Sequence, residues 1–226
     1  MNIHSEIQAL ANPDKAKVYA RFFKTGKGEY GEGDQFLGLT VPQQRIFAKK
    51  YIDLPFSDIE KLLLSKYHEH RLTGFLILVY KYDKFHDENI IDFYLKHKHC
   101  ANNWDLIDCV ADKLLGHYLF DKDRTLLYML AQSKSLWDRR ISIITTFAFI
   151  RLNQFDETIK ISKILLHDTH DLIHKAVGWM LREVGKRDEN VLLTFLDEHS
   201  KEMPRTMLRY AIERLDAKLK KKYMVK

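Results

Sequence analysis

The sequence predicts an all-α fold, and three observations predict it: where helix breakers sit, how apolar residues recur, and how the tryptophans are spaced. Proline occurs only at positions 13, 42, 55 and 204, and five of the nine glycines fall between Gly26 and Gly38. The rest of the chain is free of the residues that most often end helices. Apolar positions recur at helical spacing in segments joined by short polar connections, which favours antiparallel helix pairs. Trp104, Trp137 and Trp179 fall near the starts of helical segments, 33 and 42 residues apart. Those separations lie in the range of two-helix repeats of the HEAT or armadillo kind. The expected architecture is a superhelical solenoid of HEAT-like antiparallel helix pairs, a single domain over 1–226, with the three tryptophans on the inner layer of helices.

Each element has a local reason. Asn12-Pro13 reads as an N-cap followed by proline at the first helical position, opening a helix to about Lys24. A glycine-rich loop follows. Thr40-x-x-Gln43 is a capping box with Pro42 in the first turn, for a helix to about Ile52, and Ser57-x-x-Glu60 is a second box for a short helix to about Ser65. Further helical patterns run at about 68–82, 87–98, 102–119, 123–132, 135–153, 156–167, 170–185, 188–199 and 203–221.

Composition narrows the function classes. With 226 residues, 46% of them apolar and 30% charged, the chain reads as an ordinary globular protein rather than a disordered one. The formal charge of +6 suits a nucleic-acid partner without demanding one. Two cysteines, Cys100 and Cys109, do not make a disulfide framework, so they are expected as free thiols in a reducing cytoplasm. The first residues lack a basic segment followed by a long apolar run, so no signal peptide is expected. The longest apolar run, from Phe75 to Tyr80, is far too short to span a bilayer, so no membrane is expected among the partners.

The segment Asn102-Asn103-Trp104-Asp105-Leu106-Ile107-Asp108 carries the strongest chemical signal. Trp104 and Asp108 are four residues apart and share a helix face, flanking a core stripe of Ile107, Val110, Ala111 and Leu114. A core indole beside a surface carboxylate is the plainer reading of that pair. Repetition of the grouping argues for more: Trp137 is followed by Asp138-Arg139-Arg140, and Trp179 has Arg182 three residues on. Arg139 and Arg140, near a helix start, oppose the macrodipole and call for a phosphate or a nearby carboxylate. Arg205 and Arg209 are one turn apart on the last long helical segment. His167, His170 and His174 have partial metal-site spacing, but position 171 is Asp, and no metal or cofactor is expected. The glycine-rich loop lacks the Gly-Lys-Ser/Thr ending of a phosphate loop and is read as a structured turn.

With these residues on view, the chain resembles the AlkD-like DNA alkylation repair family, built from HEAT-like repeats. Three segments carry the likeness: Gly31-Glu32-Gly33-Asp34-Gln35-Phe36-Leu37-Gly38 leading to Pro42, Trp104-Asp105-Leu106-Ile107-Asp108, and Ala176-Val177-Gly178-Trp179-Met180-Leu181-Arg182-Glu183. The likeness runs from about Asn12 to about Arg214. It implies a superhelix gripping duplex DNA and hydrolysis of the N-glycosidic bond of purines alkylated at N3 or N7. It also implies Asp108 as the catalytic aspartate, Trp104 and Trp179 as sugar-facing indoles, and Arg140 and Arg182 as DNA contacts. Thr40 stands where family members that cut well carry glutamine. Trp137, Arg139, Thr40, Arg205 and Arg209 complete the expected DNA-contacting set, and the expected protein is a cytoplasmic monomer.

The chemistry suits these residue types. An N3- or N7-alkylpurine is positively charged, which weakens its glycosidic bond, and cleavage gives the sugar oxocarbenium character. A fixed carboxylate stabilises that developing cation more than the ground state. Indole faces assist through cation–π attraction. Two rivals remain from the sequence: a non-catalytic binder of DNA structure on the same scaffold, and a HEAT-type adaptor using the tryptophans as interface anchors.

Overall fold

The computed structural model describes residues 2–224. Among these the chain is all-α, as expected, with one isolated bridge between Gln35 and Tyr67 and no strand. No helix is long and apolar enough to cross a membrane among the described residues. The chain divides into two compact units, the first ending at Val110 and the second beginning at Ala111. The sequence gives no linker or change of composition at that point, which is why one domain was expected.

In the first unit the helices are α1 (Ile3–Ala9), α2 (Pro13–Phe22), α3 (Val41–Lys50), α4 (Phe56–Leu63), α5 (His68–Phe85), α6 (Glu88–His97) and α7 (Trp104–Asp108). Asn2 and Asn12 cap α1 and α2 through their side chains, with Pro13 at the start of α2. The N-cap of α4 is Pro55 rather than Ser57, so the second expected capping box does not form. The centre of the unit is α5, which packs against α3, α4, α6 and α7. Its middle turns are therefore apolar nearly all round, with Leu72, Phe75, Leu76, Ile77 and Leu78 fully buried. Between α2 and α3 the glycine-rich loop is the structured turn the sequence suggested. Gly38 there has φ +88°, and a Cβ on it would lie 2.3 Å from the Asn12 carbonyl oxygen, so only glycine fits.

The second unit holds α8 (Ala111–Tyr118), α9 (Thr125–Ala131), α10 (Leu136–Thr145), α11 (Phe147–Ile150), α12 (Asp156–Ile164), α13 (Asp171–Gly185), α14 (Glu189–His199), α15 (Arg205–Ala211) and α16 (Ala217–Met224). Helices α8, α10, α13 and α15 pack side by side in chain order, while α9, α12 and α14 cover them. This is the two-layer pairing expected of helical repeats. Helix α13 packs closely on α15. A Cβ at Gly178 would lie 2.4 Å from the Met207 carbonyl oxygen, so the glycine before Trp179 permits that contact.

Three segments expected as single helices are interrupted. After Asp108 the chain tightens, with the Val110 amide bonding to Ile107 O three residues back, and α7 ends there. After Thr145 the Thr146 hydroxyl and amide both take Ile143 O, while the Thr145 hydroxyl takes Ile141 O. Such back-bonding competes with the helical ladder and separates α10 from α11. The last expected segment divides into α15 and α16, the second opening with Asp216 accepting from the Leu219 amide.

Candidate active site

The short helix α7 is fixed at its start by residues on both sides of Trp104. Asn103, fully buried, caps the helix through the Trp104 amide (2.9 Å) and donates to Phe23 O (3.1 Å). Asn102 donates to Asp34 Oδ1 (2.7 Å), and Asp105 Oδ2 lies 2.8 Å from His68 Nε2. The other His68 nitrogen lies 3.0 Å from Asp34 Oδ2. Arg71 donates to Asp34 Oδ1 (2.5 Å) and to Asn102 Oδ1 (2.9 Å). One buried network thus ties the glycine-rich loop to the start of α5 and to α7. Two of the three segments that carry the sequence resemblance are bound together by it.

The electrostatics of this network are those of alternating charges. Burial alone would depress the pKa of His68, but the Asp105 and Asp34 carboxylates outweigh it and raise the imidazole to about 9. Burial likewise opposes ionisation of Asp34, yet the hydrogen bond from His68, the Arg71 charge and the Asn102 amide hold its carboxyl below the ordinary value. Next to His68, the buried Glu69 accepts from the backbone N–H groups of Leu37 (2.9 Å), Gly38 (2.7 Å) and Leu39 (3.3 Å). The loop is held by its backbone as well as by Asp34.

From this fixed base α7 presents Trp104 and, one turn later, Asp108, both partly exposed. The Trp104 ring stacks on Phe23 (5.3 Å between centroids) and meets Phe22 edge-on (5.8 Å). Trp104 and Asp108 thus stand one turn apart, both half-exposed, at the surface of the first unit. Thr40, at the start of α3, is partly exposed, and its amide and hydroxyl both bond Gln43 Oε1 (2.8 and 2.9 Å).

The second unit carries the remaining expected residues. The Trp179 indole donates to Glu183 Oε1 (3.2 Å), and its ring lies 5.8 Å from that of Phe147. Arg182 pairs with Glu183 (3.3 Å) and with Glu213. Burial opposes the Glu183 charge, but Lys186 and Arg182 outweigh it and lower its pKa. Trp137 is partly exposed, and Arg205 and Arg209 are exposed.

Of the two partners the sequence offers Arg139 and Arg140, a phosphate or a nearby carboxylate, the structure shows the carboxylate for Arg139. Arg139 takes the nearby carboxylate, Asp168 (2.6 Å), and the carbonyls of Ser133 and Lys134. Arg140 is 5% exposed and donates to Leu172 O (2.5 Å). Together they hold the entry into α13 from the start of α10. His170 caps α13 by accepting from the Leu172 amide, and His174 bonds Asp168 O. Those two histidines are structural, and no group of three or more metal-ligating side chains comes together among the described residues.

Sequence reasoning singled out Trp104 and Asp108 but missed the roles of His68, Asp34 and Asp105. The available signal was the polar run His68-Glu69-His70-Arg71 leading straight into the longest apolar stretch of the chain. Four polar residues continuous with a core helix need buried partners.

No curated protein matches the chain. Among solved structures, it is similar to a protein described as a predicted DNA alkylation repair enzyme from Enterococcus faecalis, with a TM-score of 0.76 at 16% identity. That match covers 92% of this chain and 97% of the other, and it shows a shared fold. The family model described as DNA alkylation repair enzyme matches residues 3–215, and the chain belongs to that family.

Proposed function

We propose that this protein is a DNA glycosylase that hydrolyses the N-glycosidic bond of cationic N3- or N7-alkylated purines in duplex DNA. The observation that carries the reading is the placement of Asp108 one turn after Trp104, both partly exposed, on a helix clamped at its start by Asn103 and Asp105. Preorganised charge is what electrostatic catalysis requires, because nothing need reorient as the reaction proceeds. As the C1′–N bond breaks, its electron pair goes to the base and neutralises the ring, leaving positive charge on the sugar. Asp108 stabilises that charge, and a water molecule adds to C1′, losing its proton to Asp108 or to solvent. The Trp104 face assists by cation–π attraction.

In the second unit, Trp179 and Arg182 are the proposed contacts to sugar and phosphate, with Arg205 and Arg209 binding backbone phosphates. Trp137 and Thr40 are proposed as further DNA contacts, while Arg139 and Arg140 act by holding the start of α13. No metal or cofactor has a part in the proposed reaction. Cys100 and Cys109, which form no disulfide, suit a cytoplasmic protein, and a monomer suffices for the proposed chemistry. The test is release of alkylated base from methylated duplex DNA by wild type and Asp108→Asn. Release by the wild type alone supports the reading. Equal release by both removes Asp108 from the chemistry, and DNA binding without release by the wild type makes the protein a binder of DNA structure.

A further inference from the structure

In the second unit, Arg182 stands between two carboxylates that hold it differently. Its Nε and Nη2 lie 3.4 and 3.3 Å from Glu183 Oε1, while Nη1 donates to Glu213 Oε2. Glu183 is the next residue of α13, and Glu213 lies in the turn after α15. The Glu183 side chain is 8% exposed and the Glu213 side chain 47%.

Glu183 is committed elsewhere. Lys186 Nζ lies 2.7 and 3.0 Å from its two oxygens, and the Trp179 indole donates to Oε1 at 3.2 Å. Lys186 therefore balances the Glu183 charge, and the contacts from Arg182 to Glu183 are long for charge-assisted hydrogen bonds. That leaves Glu213 to balance Arg182. Stranding the buried Glu183 is costly, whereas an exposed ion pair contributes little because water solvates both partners. Glu213 also has a second cation at hand, with Arg214 Nε 3.7 Å from its Oε1. When a phosphate oxygen competes for Arg182, the partner that yields is Glu213.

We propose that Glu213 is a built-in competitor for DNA at Arg182, neutralising the guanidinium in the free protein and giving way to a backbone phosphate on binding. The proposal rests on the reading of Arg182 as a DNA contact. Glu183 keeps its bonds to Trp179 and Lys186 during the exchange, so the indole beside Arg182 stays in place. The consequence is weaker binding of every duplex, whatever its sequence, and easier release.

The test is the affinity of labelled duplex DNA for wild type, Glu213→Gln, Arg182→Gln and the double variant, each at low and high salt. Glu198→Gln is the control for charge alone, because Glu198 is an exposed, ion-paired carboxylate on α14 of the same unit. Glu213→Gln is expected to bind roughly threefold to tenfold more tightly than wild type at low salt, with its unfolding midpoint unchanged. The gain narrows at high salt, and it vanishes when Arg182 is already Gln. No gain, a gain that survives Arg182→Gln, an equal gain from Glu198→Gln, or no duplex binding by wild type and Glu213→Gln would overturn the proposal. Base release separates the two readings. Release by the wild type with no gain from Glu213→Gln sinks the competitor alone. A gain that depends on Arg182, without release by the wild type, sinks the glycosylase reading alone.

Discussion

The imidazole of His68 stands between two carboxylates, and its Nε2 lies 2.8 Å from Asp105 Oδ2 in the helix that carries Asp108. The pair joins α5, the centre of the first unit, to α7. With its pKa raised from 6.5 to about 9, His68 is imidazolium through the neutral range and donates to both Asp34 and Asp105. Candidate chemistry on α7 is therefore supported by an ion network, and that network has a pH signature.

A group whose folded pKa is raised contributes stability that is complete below its unfolded value and is lost as the pH climbs through the folded value. For His68 that window runs from 6.5 to about 9. The contribution is on the order of 3 kcal/mol, from the size of the shift and 1.36 kcal/mol per pH unit. His68→Gln is expected to be less stable than wild type at neutral pH, with the gap closing as the pH passes about 9. Urea midpoints measured for both proteins across that range check it. A gap that stays constant with pH would show that His68 is not charged in the folded state.

Gly38→Ala should destabilise the protein by about 1–3 kcal/mol, since it places a side chain at positive φ and against the Asn12 carbonyl. The same change at Gly33, also at positive φ but with open space around it, should cost less. Thermal unfolding of the two variants orders them.

Gly178→Ala forces apart α13 and α15, because its Cβ has only 2.4 Å to the Met207 carbonyl oxygen. Overpacking of this kind typically costs about 1–3 kcal/mol. Trp179 and Arg182 ride on α13, so DNA affinity is expected to fall along with the unfolding midpoint.

These examples show which parts of the molecule the sequence made legible. Helical class and most helices followed from breaker placement and periodicity, which are local. Helix α1 was missed because seven residues, Ile3–Ala9, are too few to show a period. The breaks after Asp108 and Thr145 were missed because they come from hydrogen bonds to carbonyls three and four residues back, which composition does not announce. Trp104 and Asp108 were legible because helical spacing alone puts them on one face. The clamp beneath them was not, since Asp34, His68 and Asp105 are joined only by the fold. Arg139 and Arg140 were legible as charges seeking an anion, but not as the partners of Asp168 and the Leu172 carbonyl.

Arg205 and Arg209 are exposed on α15, and each is expected to neutralise one backbone phosphate. Replacing either by Gln should weaken duplex binding about equally for all sequences and reduce the slope of log affinity against log salt by about 1. Fluorescence anisotropy at several salt concentrations measures both quantities. An unchanged slope would place the arginine away from the DNA.

Asp108 is proposed to stabilise the sugar cation as the alkylated base leaves. The most direct test of that role is the single-turnover rate of 7-methylguanine release from duplex DNA by wild type and Asp108→Asn, with DNA affinity measured on the same preparations. Unchanged affinity and a rate lower by roughly a hundredfold to a thousandfold are expected in the variant. Equal rates at equal affinity would contradict it.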